Sequence, residues 1–203
     1  MATNTPVVAA AVVVILLTSA ASAHAQIGVV AGVAQSTIAF GPESGSPELT
    51  ETQRRTGLTA GLSFLFPTNR LGGWQVEVLF IEKGAVNLLR RDDALRLTYL
   101  EIPALLHIDV LRRRRNAVFL LAGPSVAFTL RGAYEDDGVT EDVKNDVGDV
   151  DIGLHVGAGV EIDHITFDAR YIWGMRTVFH DGDLDGTFKN RTFTLMAGIR
   201  FGG

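Results

Sequence analysis

Cysteine is absent from all 203 residues. That absence excludes a disulfide scaffold, a thiolate zinc site, a cysteine nucleophile and a lipid-modified N-terminal cysteine. Positive charge is scarce too: 18 Lys+Arg stand against 23 Asp+Glu, a net charge of −5. A nucleic-acid binder normally shows a basic excess on one face, so no nucleic-acid partner is expected. No stretch of the chain holds 18 consecutive apolar residues, which excludes a membrane-spanning helix. Disorder is excluded from the other side, because apolar residues make up 47% and charged residues only 20%. The length fits one domain.

The first 25 residues contain no Asp, Glu, Lys or Arg. Val7–Leu17 is an unbroken apolar run of eleven residues, too short to cross a bilayer as a helix. It fits the apolar core of a secretory signal, and Ala23-His24-Ala25 supplies an A-x-A cleavage site. We expect a signal peptide over residues 1–25 and a single β-barrel domain over 26–203.

Beyond residue 25 the dominant pattern has period two. Ile152, Leu154, Val156, Ala158, Val160 and Ile162 alternate with Asp151, Gly153, His155, Gly157, Gly159 and Glu161. The same alternation runs through Leu58–Phe66, Trp74–Phe80, Leu100–Ile108, Phe167–Trp173 and Phe193–Phe201. Ile27–Phe40 and Val118–Leu130 are weaker versions, apolar or small on both faces. Eight strands result, each near the length that crosses a bilayer at a tilt. Short connections alternate with long ones, as in an outer-membrane barrel. The second face is rich in Gly, Ser and Thr, which suits the tight interior of eight strands. Trp74, Phe66, Tyr171, Trp173 and Phe201 near strand ends suit aromatic girdles facing lipid. The fold class expected is an all-β, eight-stranded antiparallel up-and-down transmembrane barrel. An inverted barrel, apolar inside, is the alternative.

Tyr99-Leu100-Glu101-Ile102-Pro103-Ala104-Leu105-Leu106 closely resembles the "YLEIPLLL" segment of the PorT-like, porin-family outer-membrane β-barrel proteins. Val76–Phe80 with Lys83-Gly84, Ala122-Gly123-Pro124, Asp151–Leu154, Gly157–Glu161, Ala169–Tyr171, Lys189–Arg191 and Gly198–Phe201 follow in the same order and spacing. The resemblance implies an eight-stranded outer-membrane barrel without an assigned activity. It also implies contact with the outer-membrane insertion machinery, for which a terminal aromatic is the usual signal. Here Gly202 and Gly203 follow Phe201.

Charged residues on the inward face include Glu77, Lys83, Glu101, Arg170 and Arg200. Eight strands leave little free lumen, and confined charges must pair. We expect a cluster in which Glu77 and Glu101 meet Arg170 and Arg200 across the bore, acting as a plug or as a gate. Asp181, Asp183 and Asp185, spaced by Gly182 and Leu184, resemble half of a calcium loop. The twelfth-position Glu of such a loop is Thr192 here, so calcium is only a candidate and no cofactor is expected. Residues 131–149 carry seven acids against two bases and read as a solvated loop, able to bridge to lipopolysaccharide through cations. Arg112–Arg115 reads as a charged turn against anionic lipid heads.

Catalysis needs a Ser activated by a His that a carboxylate orients. His107 and His155 face inward, and neither has a Ser two residues away on its own strand; Ser125 has no His partner evident from spacing. The expected function is therefore a non-enzymatic monomeric barrel with a polar, largely plugged lumen. Its expected partners are outer-membrane lipids and lipopolysaccharide. A narrow passive pore is the alternative, and a lipid A-modifying barrel enzyme ranks below it.

Overall fold

A computed structural model describes residues 25–40, 53–69, 71–86, 94–136, 139–142, 150–175 and 188–202. Eight long strands form the barrel: β1 (Gln26–Phe40), β2 (Gln53–Asn69), β3 (Gly72–Val86), β4 (Ala94–Arg113), β5 (Asn116–Asp136), β7 (Val150–Ile162), β8 (Ile165–Gly174) and β9 (Phe188–Phe201). The four-residue β6 (Val139–Asp142) pairs only with the end of β5 and extends that hairpin outside the ring. Every pairing is antiparallel between ring neighbours, β1 pairs with β9, and the β4–β5 pairing closes the sheet. Closure leaves no edge within the eight-stranded ring, which is what lets a sheet sit in hydrocarbon. The expected signal segment and the Asp181–Asp185 stretch lie outside the described residues.

Side-chain orientation settles the choice between the two barrels. Trp74, Leu106, Leu120, Leu154, Phe167 and Leu195 are exposed, and each of the eight ring strands shows such outward apolar residues. Glu77, Glu101, His155 and Arg170 are buried on the inside. The inverted barrel is therefore incorrect. Water would penalise such an apolar belt, whereas lipid solvates it.

The interior is less uniformly polar than the alternation suggests. Leu105, Phe119 and Leu121 pack together inside, and Leu79, Leu97 and Met196 are also buried. β5 carries apolar residues on both faces, so its period-two signal is weak at the positions that fill the bore.

Three glycines of β7 make room for this filling. A Cβ on Gly153 would meet Ser125 Oγ at 2.6 Å, one on Gly157 would meet Arg170 Cγ at 2.7 Å, and one on Gly159 would meet Phe119 Cζ at 2.4 Å. β7 is thus the thin wall against which large groups from β5 and β8 lie. Gly159→Val should destabilise the barrel by about 1–3 kcal/mol through overpacking, seen as a lower urea midpoint in vesicles. An unchanged midpoint would mean that Phe119 does not sit against this wall.

Candidate functional site

The lumen holds most of the buried charge, and it is organised in two constellations. The first crosses the bore. Arg170 on β8 donates from Nη1 to Glu77 Oε2 (2.5 Å) and from Nη2 to Glu77 Oε1 (2.9 Å) on β3. β3 and β8 are four strands apart in either direction around the ring, so this pair spans the full width. Arg170 Nε also donates to Asp168 Oδ1 at 2.6 Å. A planar guanidinium thus serves two carboxylates through a fork that lysine does not possess. Glu77 accepts a further bond from Gln75 Nε2 (2.5 Å), and His107 Nδ1 donates to Gln75 Oε1 (2.8 Å). His107 stacks on Phe119 with ring centroids 4.5 Å apart, joining the polar chain to the apolar filling.

The second constellation centres on Glu101. Lys83 Nζ lies 2.8 Å from Glu101 Oε2 and 5.3 Å from the Tyr99 ring centre. Ser125 Oγ donates to Glu101 Oε1 (2.7 Å), and His155 Nε2 lies 2.9 Å from that same oxygen. Glu101 and Ser125 are brought together by the β4–β5 register, which sets Glu101 opposite Ala127 and Pro103 opposite Ser125. They are diagonal neighbours on the inner face, within reach of each other. The β5–β7 register brings in His155, opposite Gly123.

The five lumen charges therefore do not form one cluster. Glu77 and Arg170 meet each other, whereas Glu101 meets Lys83. Arg200 pairs with Glu161 at the end of the barrel where the short turns lie. Of the cluster expected from sequence, the meeting of Glu77 with Arg170 is present, whereas Glu101 goes to Lys83 and Arg200 to Glu161 at the rim. Asp181, Asp183 and Asp185 lie outside the described residues, and among the described residues no group of three His, Asp or Glu could hold a metal ion.

Sequence spacing along single strands missed the meeting of Ser125 and His155, whose Oγ and Nε2 are 3.0 Å apart. Pairing adjacent strands by register would have found it. The trio is nevertheless not a nucleophilic relay. A relay needs the carboxylate and the serine on opposite nitrogens of the imidazole, so that one holds the ring while the other takes the serine proton. Here Glu101 occupies the Nε2 side and itself accepts from Ser125, while His155 Nδ1 has no hydrogen-bond partner among the described residues. All three residues are at most 2% exposed. The arrangement suits a locked Lys83–Glu101 ion pair whose second carboxylate oxygen is held by Ser125 and His155.

The family model of the outer membrane protein beta-barrel domain matches residues 19–180. Neisserial surface protein A superposes with a TM-score of 0.52 at 16% identity, covering 86% of this chain and 97% of that one. Ail, the attachment invasion locus protein of Yersinia pestis, solved in complex with the heparin analogue sucrose octasulfate, gives 0.43 at 19% identity, covering 87% and 99%. The outer membrane protein OprG from Pseudomonas aeruginosa gives 0.45 at 12% identity, covering 88% and 96%. Among curated proteins no match is found.

Proposed function

The chain belongs to the outer membrane protein beta-barrel family, and from that premise we propose that it is a non-enzymatic barrel with a plugged lumen, serving membrane structure or surface interaction. Its place is the outer membrane. The observation that carries the proposal is the Arg170–Glu77 pair, which bridges opposite walls of the bore. Leu105, Phe119 and Leu121 support it by filling space with hydrocarbon, not water. The surface role belongs to the end of the barrel opposite the short turns. There the β5–β6 pairing carries Glu135, Asp136, Glu141 and Asp142, four acids of the acidic stretch 131–149 of the sequence. Cation bridges from these acids to lipopolysaccharide phosphates are the contact we propose.

A narrow pore is the second reading, favoured by the charged groups that line the bore between its apolar fillers. Liposome swelling with small sugars separates the two. Vesicles carrying the folded barrel should swell no faster than empty vesicles. Solute-dependent swelling would make the protein a pore.

A further inference from the structure

The short-turn rim carries a polar assembly apart from the lumen. Turn Arg114–Arg115 joins β4 to β5, and turn Asp163–His164 joins β7 to β8. Asp163 N donates to Arg115 O (3.0 Å), and Arg200 N donates to His164 O (2.8 Å). These bonds hold both turns and the end of β9 in one frame. Between them lies a cleft of about 310 Å³, whose lining includes Arg112, Arg114, Arg115, Glu161, His164 and Arg200.

The rim has more cations than its acids can neutralise. Four arginines, Arg112, Arg114, Arg115 and Arg200, line the cleft with two acids, Glu161 and Asp163, and Asp109 lies beside Arg112. Arg112 is held by Asp109 at 2.6 Å and Arg200 by Glu161. Arg115 lies 3.7 Å from Asp163, with both side chains more than half exposed, so that contact is weak. Arg200 is only 6% exposed, and its Nε has no hydrogen-bond partner among the described residues. A buried guanidinium with an unused donor, beneath a basic cleft, is incompletely satisfied.

We propose that this cleft binds a phosphate group. Guanidinium groups match phosphate oxygens in geometry and charge. Ile162, Ile165 and Phe201 directly adjoin cleft residues in sequence and are exposed on the lipid side. The cleft therefore lies at the lipid boundary, where phosphate can come from a phospholipid headgroup or from solution. In barrels of this class the short turns face the periplasm.

The test is calorimetric titration of the full chain, refolded in phosphate-free maltoside micelles, with inorganic phosphate and with a short-chain phosphatidylglycerol. Saturable binding of both with similar affinity supports a site for free phosphate. Binding of the lipid alone supports a headgroup site. Arg114→Asn with Arg115→Gln should weaken either by about tenfold or more; asparagine is used because Arg114 has φ +51°. Arg115→Gln alone should weaken binding by a smaller factor, and it answers the question if the double variant does not fold. Arg191→Gln removes a charge from the opposite end of β9, away from the cleft, and should leave affinity unchanged. The proposal is overturned if neither probe binds, if removing Arg115 has no effect, or if Arg191→Gln weakens binding as much as Arg115→Gln does.

Discussion

A chain carrying Arg170→Glu is expected to lose the compact, heat-modifiable band of a folded barrel. Arg170 is the cation between Glu77 and Asp168, and all three are buried. Removing it strands two carboxylates away from water, and the new acid adds a third like charge. Breaking a buried ion pair costs about 3–5 kcal/mol before that repulsion is counted. Arg170→Lys keeps the charge but loses the fork, so it should fold with a smaller loss of about 1–3 kcal/mol. The pair itself is isolated by a cycle of Arg170→Ala, Glu77→Ala and both together. Coupling of about 0.5–3 kcal/mol is expected for groups in direct contact. Coupling near zero in urea unfolding would show that the two side chains do not meet across the bore.

Glu101→Leu should have the second-largest effect. Glu101 accepts from Ser125 and faces both Lys83 and His155, and it is fully buried. Its loss leaves the Lys83 ammonium, itself 3% exposed, without its carboxylate. The expected cost is about 3–5 kcal/mol, the range for an orphaned buried charge. Adding Lys83→Met should recover much of it, since an apolar pair of similar volume removes the uncompensated ion. The denaturant midpoints of the single and double variants decide the matter. If Glu101→Leu alone unfolds at the wild-type midpoint, the second constellation does not hold the barrel together.

Much of the architecture was legible because a lipid-facing barrel writes its two solvents into alternate residues. In β7, Ile152 through Ile162 face outward while Asp151 through Glu161 face inward, as the alternation indicates. Strand ends were harder to read. β5 runs from Asn116 to Asp136, well beyond the apolar segment Val118–Leu130, because pairing with β4 continues where hydrophobicity has faded. The inner charges were recognisable as a set, but their partners were not. Lys83 reaches Glu101, and Arg200 reaches Glu161, through registers and stagger that no single strand encodes. The glycines of β7 looked like generic small lumen residues. Their specific role emerged only with Phe119, Arg170 and Ser125 lying against them.

The central claim is that the bore is closed by packed side chains and by the bridge from Arg170 to Glu77. Single-channel recording of the folded chain in a planar bilayer addresses it most directly, with a heat-modifiable gel shift confirming that the protein folded. A folded, inserted and electrically silent barrel is the expected result. Steady openings from that same folded protein would contradict it and make the lumen a conduit.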